Sequence, residues 1–362
     1  SMTTFVDACL TAMTDSTVAV EKHERVRPKV GKLLKALAGK TNIVITSHLH
    51  PDPDALGSCQ AMQTLLGALR PDAKVTIRLQ GQVGGGINDG FTRISRMDYL
   101  PWDASLPNDF DALVLVDTQA GFANCALPEG VQPTAVVDHH RGRGRRAKAA
   151  FTDVRINVGA TASILFSYFM EAKIAISPEL AATMLYAIES DLSGIAGQQG
   201  GLDTIAISSL TLLADTKRLY QMRYVDLPPG YYGAFAETVK QATRYGEVLV
   251  AHLDHVDFAE TPGVMSDFLL RCRDINWTMV TALHNGRFVF SIRTKVANRS
   301  AGEVARGISD GLGDGGGHLT KAGGAIPVVD PSPGDLDALR VRLGRRLLRC
   351  LKVPLTKGTK LA

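Results

Sequence analysis

The sequence predicts an α/β protein of two domains, in which a parallel-sheet domain is followed by a smaller α/β domain. Its 362 residues exceed what one hydrophobic core usually serves. From residue 42 to residue 191, short apolar runs alternate with helical stretches, as in successive β-α-β units. The apolar runs lack hydrophobic/polar alternation, which is typical of parallel strands buried on both faces.

In the first part of the chain, the apolar runs predict strands at residues 42–47, 74–79, 112–117 and 134–138. Helical periodicity predicts helices at residues 55–69, 161–171 and 178–189. Ser177 is the expected N-cap of the third helix, because Pro178 then occupies the first helical position. Thr161 and Ser163 begin the second helix, where a hydroxyl either caps the helix or contacts substrate. Capping is the expected role.

A change in composition predicts a domain boundary near residue 225, because mixed charges, aromatic residues and a Pro-Pro-Gly break at 228–230 follow. Beyond it, we expect strands at residues 247–253, 277–284 and 287–294, a helix at 302–312, a glycine cluster and an amphipathic basic stretch at 335–351. The predicted division is a helical extension at 1–40, a first domain at 41–215, a linker at 216–235 and a second domain at 236–362.

Bulk composition limits the class of protein. The net charge of +4 is too small for a protein that coats long nucleic acid, although it would not repel a small anion. The five cysteines are scattered, which argues against a disulfide framework or a zinc-thiolate site and favours a reducing cytoplasm. No apolar run approaches the roughly 20 residues that span a bilayer, and the first residues do not resemble a secretory signal. We therefore expect a cytoplasmic protein with no membrane partner.

Four polar residues, His48, His50, Asp52 and Asp54, lie just after the first predicted strand. Open α/β sheets gather their functional groups at this place. Asp52 and Asp54 can converge on a cation, whereas two unpaired buried carboxylates would repel each other. The alternative is a helix-capping turn with exposed acids. We expect His50 to be a solvent-facing loop residue.

Acids and histidines end three further apolar elements: Asp117, the run Asp138-His139-His140, and Asp191. If the strands are parallel, these side chains meet at one edge of the sheet. Carboxylate oxygens and imidazole nitrogens without a thiolate suit Mn²⁺, Mg²⁺ or Fe²⁺ better than structural zinc, and Mn²⁺ is the first choice. Two such ions would activate a water and stabilise a phosphoryl transition state.

Together, the four segments resemble the motif set of the DHH phosphoesterase superfamily, whose name is spelled by residues 138–140. The resemblance implies two sets of metal ligands that share Asp117 as a bridge: His48, Asp52 and Asp117 for one ion, and Asp54, Asp117, His139 and Asp191 for the other. It also implies that His140 lies beside the metals toward the scissile phosphate. Asp138 would orient the neighbouring imidazole.

The glycine cluster at 315–317, followed by His318, predicts a loop whose backbone N–H groups approach a phosphate, with a helix N-terminus after it. It also resembles the glycine-histidine signature of the substrate-binding domain that commonly follows a DHH domain. By this resemblance, Arg293 grips a terminal phosphate, and His318 contacts phosphate or base across a cleft between the domains, with Gly316 and Gly317 beside it. An exposed strand arginine and a helix-capping histidine are the structural alternatives.

The resemblance is strongest to the small nanoRNase and pAp-phosphatase subfamily, which acts on short oligonucleotides and on 3′,5′-bisphosphorylated adenosine (pAp). We therefore expect short oligonucleotides or small nucleotides as substrates, no long nucleic acid, and leave a homodimer open. Cyclic or linear dinucleotide signalling is the alternative, and a decayed nucleotide-binding regulatory module is a remote one. An inorganic pyrophosphatase, a long-strand exonuclease and a tRNA-associated editing domain fit less well.

Two places depart from the family pattern. The fourth motif reads Ser-Asp-Leu-Ser-Gly at 190–194 instead of Thr-Asp-Thr-Gly, and Lys321 replaces a small residue after His318. These departures put substrate preference in doubt, but not metal binding. The basic run at 141–148 is expected to be a solvated loop, with phosphate attraction as the alternative.

Overall fold

The computed structural model describes residues 28–81, 83, 87–102, 109–122, 124–128, 130–142, 148–192, 200–296, 298–355 and 357–362. The chain divides into two compact units, Ser1–Val225 and Asp226–Ala362. The predicted extension at 1–40 lies mostly outside the described residues, as do most of the basic run at 141–148 and the end of the fourth motif. None of the helices in the described part of the chain has both the length and the apolar character needed to cross a bilayer.

The first unit is built on a parallel sheet of six strands, in the order β3-β2-β1-β4-β5-β6. Its strands are β1 (Asn42–Thr46), β2 (Lys74–Leu79), β3 (Leu100–Pro101), β4 (Ala112–Val116), β5 (Ala135–Asp138) and β6 (Phe151–Val154). Its helices are α1 (Val30–Ala36), α2 (Pro53–Leu69), α3 (Ile87–Ser95), α4 (Thr161–Ala172), α5 (Pro178–Leu192), α6 (Gly201–Leu213) and α7 (Thr216–Arg223). The predicted parallel α/β class is confirmed.

The strand order reverses between β1 and β4, since β2 lies on the far side of β1 and β5 on the far side of β4. Crevices at the carboxyl ends of strands open at such a switch point. All five residues of β4 are buried, as expected for a central strand covered on both faces. The fold therefore places the ends of β1, β4 and β5 side by side.

The second unit contains a mixed sheet of seven strands, in the order β11-β12-β10-β9-β8-β7-β13. Its strands are β7 (Thr243–Tyr245), β8 (Val248–His255), β9 (Trp277–His284), β10 (Arg287–Thr294), β11 (Asp314–Gly317), β12 (Lys321–Pro327) and β13 (Thr359–Lys360). Its helices are α8 (Pro229–Gln241), α9 (Thr261–Leu270), α10 (Ala301–Ser309) and α11 (Pro333–Leu351). The predicted strands at 277–284 and 287–294 are confirmed.

The structure corrects several predicted boundaries. The predicted linker at 216–235 contains α7 and the start of α8. Helix α2 begins at Pro53, because the side chain of Asp52 accepts a hydrogen bond from Ala55 N and acts as its N-cap. The predicted cap of α5 is confirmed, since the Ser177 hydroxyl accepts a hydrogen bond from Leu180 N at 3.2 Å.

Candidate metal centre

Acids and imidazoles from four segments of the first unit meet where β1, β4 and β5 end. They form three overlapping groups whose ligand atoms lie within 4.8 Å of one another: His48, Asp52 and Asp117; Asp54, His139 and Asp191; and Asp117, His139 and His140. All six residues that the sequence suggested as ligands are present, together with His140. Because the three groups share Asp117 and His139, they belong to one site.

Asp117 lies at the centre of this cluster. Its Oδ2 is 3.5 Å from His48 Nε2, and its Oδ1 is 3.4 Å from His139 Nε2. The residue directly follows β4 with a φ of 57°, a left-handed conformation that Asp tolerates better than most residues. Its backbone N–H donates to Val137 O at 2.9 Å, which ties the turn to β5. The backbone therefore aims this carboxylate at imidazoles from two different strand ends.

Asp54 is fully buried, and the N-terminus of α4 holds it. Its two carboxylate oxygens accept hydrogen bonds from Thr161 N at 2.7 Å and Ala162 N at 2.9 Å. These N–H groups have no partner inside their own helix, and the helix dipole favours a negative charge here. A carboxylate from α2 thus caps α4, which anchors Asp54 without help from a cation.

The expected capping role of Thr161 and Ser163 is wrong. Ala160 is the N-cap of α4, and no side chain of the helix caps it. The Thr161 hydroxyl instead donates to Asp117 Oδ1 at 2.9 Å. One residue therefore binds both central acids, Asp54 through its backbone and Asp117 through its side chain. Sequence reasoning named Thr161 but missed this role.

Asp52 caps a helix, which is one of the two alternatives that the sequence left open, and it also lies beside the cluster. Its Oδ1 caps α2 through Ala55 N, and the same atom lies 3.9 Å from His48 Nε2. About half of its side chain is exposed, so it borders the cluster on the solvent side. His50 is exposed, as predicted, and its ring lies against Gly81.

Hydrogen bonds fix the orientation of the imidazoles. His48 Nδ1 donates to Leu49 O at 2.9 Å and His139 Nδ1 donates to Val158 O at 3.2 Å, because a carbonyl can only accept. Each ring therefore presents Nε2 to the carboxylates, as metal-binding histidines usually do. His139 Nε2 also lies 3.3 Å from Asp191 Oδ2.

Asp138 is fully buried and pairs with His140, whose Nδ1 lies 2.5 Å from Asp138 Oδ1. The other carboxylate oxygen accepts from Gln119 Nε2 at 2.8 Å, and the same amide donates to His140 O at 3.0 Å. Gln119 thus supports both residues. Gln119 was not predicted from the sequence, although its place two residues after Asp117 was a usable signal.

The pKa values of the buried acids depend on the charges and hydrogen bonds of their neighbours in the cluster. Burial raises the pKa of Asp54 well above its usual range, and the charges of Asp117 and Asp191 act in the same direction. Burial also opposes ionisation of Asp117, but hydrogen bonds from His139 and His48 lower its pKa well below the usual range. Desolvation lowers the pKa of His48, yet the hydrogen bond to Asp117 and the charge of Asp52 outweigh it and raise this pKa to about 9.

The donor set fits a divalent metal ion. It consists of carboxylate oxygens and imidazole nitrogens, the ligands that Mn²⁺, Mg²⁺ and Fe²⁺ accept. Burial and the nearby charge of Asp117 raise the pKa of the Cys59 thiol, which keeps a thiolate out of the set. Converging buried carboxylates are stabilised by such an ion more effectively than by imidazolium groups alone, since the ion carries two charges.

In the second unit, Arg293 lies at the end of β10, and its guanidinium donates hydrogen bonds to neighbouring residues of the same unit. Its Nε donates to Asp267 Oδ1 at 2.8 Å, and its Nη1 donates to Ser291 Oγ at 2.6 Å. Its Nη2 lies beside Gly263, where a Cβ would come within 2.8 Å of it. Only 15% of the side chain is exposed. Arg293 is therefore not the exposed strand arginine that was the structural alternative.

The glycine cluster is part of a β-hairpin, which corrects the predicted loop with a following helix. Gly316 and Gly317 belong to β11 and pair with β12. The backbone carbonyls of His318 and Leu319 accept from the first N–H groups of α10, so that helix precedes the cluster and its N-terminus is closed. A Cβ on Gly302 would collide with Gly317 O, and a Cβ on Gly315 would collide with Ala305 O, so both sides of this contact require glycine.

Residues 42–188 match the DHH family, N-terminal domain. An uncharacterised protein of Methanocaldococcus jannaschii is 29% identical over 304 residues, which cover 83% of this chain and 61% of that protein. The manganese-dependent inorganic pyrophosphatase of Bacillus subtilis is 30% identical over 154 residues, which cover 41% of this chain and 47% of the enzyme.

Among solved structures, an exopolyphosphatase-related protein from Bacteroides fragilis shares the fold. Its TM-score is 0.65 at 17% identity, and the match covers 89% of this chain and 97% of that one. The chain spans about three fifths of the archaeal relative and about half of the pyrophosphatase. The matched segment contains β1 to β6 and every residue of the cluster except Asp191. Residues 42–188 therefore match a DHH family N-terminal domain.

Proposed function

We propose that the chain is a metal-dependent phosphoesterase that hydrolyses short oligoribonucleotides, dinucleotides or pAp at the cluster around Asp117. The observation that carries this proposal is that the two oxygens of Asp117 face imidazoles of different ligand groups. A carboxylate in this position could bind two ions at once, one through each oxygen. The proposed ligands are His48, Asp52 and Asp117 for one ion, and Asp54, Asp117, His139 and Asp191 for the other.

Two divalent ions would supply Lewis-acid stabilisation of the phosphoryl charge and a lower pKa for the attacking water. We propose Mn²⁺, because the pyrophosphatase relative is described as manganese-dependent. The chain itself contributes the orientation of the site. Thr161 and the N-terminus of α4 hold Asp117 and Asp54, and Asp138 holds His140, which we propose donates a hydrogen bond to the scissile phosphate.

The second unit is proposed to bind the terminal part of the substrate through Arg293, Gly316, Gly317 and His318. Within the described residues, the hydrogen bonds of Arg293 use Nε and Nη1. Nη2 therefore keeps donors for a phosphate oxygen, and Asp267 fixes the plane of the guanidinium. Fixed guanidinium planes suit phosphate recognition.

The test is hydrolysis of a dinucleotide by the purified chain with Mn²⁺, with EDTA as the metal-free control. We expect release of mononucleotides with Mn²⁺ and none with EDTA. Asp117→Asn should lower kcat/KM at least a thousandfold, because both ligand groups lose their shared charge. Asp98→Asn removes an exposed acid of the same unit and should leave turnover unchanged. Equal turnover in Asp117→Asn and the parent would refute the two-metal site.

A substrate panel separates the remaining candidates. Preference for pAp and linear dinucleotides supports the proposal, whereas preference for cyclic dinucleotides favours a signalling phosphodiesterase. Preference for inorganic pyrophosphate would assign the activity of the bacterial relatives instead. Nucleotide binding without turnover under any metal would indicate a decayed regulatory module. Arg293→Ala should reduce kcat/KM for substrates with a terminal phosphate more than for a generic phosphodiester.

A further inference from the structure

Helix α11, the closing helix of the second unit, has two contrasting faces. Leu343, Leu347 and Leu348 are buried against the core of the unit. Arg342, Arg345 and Arg349 are exposed on the opposite face. At 1.5 Å per residue, these three arginines extend about 10 Å along the helix axis.

Acidic residues do not neutralise this face. The acids of α11 lie in its first turns, where Asp335 bonds to Ser332 and Asp337 pairs with Arg340. Arg340 has a second partner in Asp254. Within the part of the chain that the structure describes, no ion pair joins Arg342, Arg345 or Arg349 to a carboxylate.

Helix formation does not explain the arrangement either. A cation in the last turn complements the helix dipole, which accounts for Arg349. Arg342 lies nine residues before Leu351, the last residue of the helix, beyond the reach of that effect. Arg342 and Arg345 are three residues apart, and Arg345 and Arg349 four, so these like charges repel each other on the helix surface. The arrangement opposes helix stability in the free protein, which points to an anionic partner.

We propose that the face formed by Arg342, Arg345 and Arg349 binds the phosphates of a single RNA strand. Guanidinium groups bind phosphate oxygens with two parallel hydrogen bonds, and a row of them follows a chain of phosphates. A membrane surface fits less well, because helices that bind membranes insert an apolar face, and the apolar face of α11 is buried. The net charge of the whole chain gave no indication of this face, since the charge is concentrated on one helix.

This inference goes beyond the proposed hydrolysis and rests on it only for the choice of RNA over another polyanion. The test is binding of a fluorescent 12-nucleotide oligouridylate to the full chain in EDTA, measured by anisotropy at several salt concentrations. The variant is Arg342→Ser/Arg345→Ser/Arg349→Ser. The matched control is Arg271→Ser/Arg273→Ser/Arg287→Ser, which removes the same charge from exposed positions elsewhere in the unit.

We expect the α11 variant to bind at least tenfold more weakly than the parent. The slope of log affinity against log salt should become shallower by about 2, since each phosphate contact to a single strand contributes about 0.7. The control variant should lose less than twofold. If both variants lose the same affinity, the effect comes from net charge alone and the proposal is overturned. An α11 variant that binds the oligonucleotide as tightly as the parent would also overturn it.

Two further measurements separate this inference from the proposed function. The α11 variant should keep dinucleotide hydrolysis with Mn²⁺, because the dinucleotide carries too few phosphates to need this face. Failure of hydrolysis in the parent would end the proposed function while leaving the RNA-binding result to stand alone. Binding of phosphatidylserine vesicles in preference to the oligonucleotide would assign the face to a membrane and overturn the inference.

Discussion

Replacing Thr161 by valine tests how the chain holds its central acid. Valine keeps the branched shape of the side chain but removes the hydroxyl that donates to Asp117 Oδ1 at 2.9 Å. A hydrogen bond to a charged group contributes roughly 1.5–3 kcal/mol. At 1.36 kcal/mol per factor of ten, its loss corresponds to roughly a 10- to 150-fold weaker affinity for Mn²⁺. This agrees with the 10- to 100-fold loss typical of residues that orient metal ligands.

The assay is calorimetric titration of the metal-free protein with Mn²⁺, supported by electron paramagnetic resonance of the bound ion. Ser163→Ala is the matched control, because Ser163 is equally buried in the same turn and its hydroxyl contacts no hydrogen-bond partner among the described residues. Thr161→Ser restores the hydroxyl and should recover most of the affinity. If Thr161→Val and Ser163→Ala bind Mn²⁺ equally well, Thr161 does not position Asp117.

Three further predictions concern separate features of the fold. Asp52→Asn should weaken Mn²⁺ binding with little change in melting temperature, because asparagine still caps α2. Asp52→Ala should weaken Mn²⁺ binding and also cost about 1 kcal/mol of stability, so equal melting temperatures of the two variants would contradict the capping role. Burial opposes ionisation of Asp153, but hydrogen bonds from Arg155 lower its pKa, so its contribution to stability is present above about pH 4 and is lost as the pH falls through the lowered value. In Asp153→Asn, the free energy of unfolding should therefore fall less steeply as the pH is lowered below about 4. The same steepness in the variant and the parent would contradict this role of Asp153. Gly302→Ala should destabilise the second unit by about 1–3 kcal/mol through its clash with the β11 backbone, whereas Gly307→Ala in the same helix should be neutral or stabilising in denaturant unfolding.

The metal-binding edge of the first unit could be predicted because its signals are local. Each of three apolar runs is followed directly by its acid or histidine, and parallel strands bring their carboxyl ends to one edge. The spacing of these motifs is also what the DHH resemblance depends on. Sequence alone therefore predicted that Asp54, Asp117 and His139 lie together, and in the structure His139 Nε2 lies within 3.9 Å of Asp54 and 3.4 Å of Asp117.

The contacts that hold this cluster could not be predicted, because they join residues far apart in sequence through the backbone. Thr161 N and Asp54 are 107 residues apart, and an N–H group leaves no mark in the sequence. The short strand β6 was missed because its four residues carry too weak a pattern. The glycine cluster was misread, since glycine suits both an anion-binding loop and a crowded hairpin. Only the packing of α10 against β11 decides between them.

The two central acids are held by different means, and this predicts how the fold responds to metal removal. Asp54 accepts two backbone hydrogen bonds from α4, and Asp117 is held by Thr161 and by two imidazoles that can carry the compensating protons. We therefore expect the first unit to fold without a metal ion, unlike small domains that are organised around structural zinc. We expect EDTA to abolish activity while the circular dichroism spectrum is retained. Mn²⁺ at a hundred times its dissociation constant should add about 2.7 kcal/mol of stability per site. Loss of the spectrum in EDTA at 25 °C would contradict this division of roles, because it would make the ion, and not α4, the element that holds the acids together.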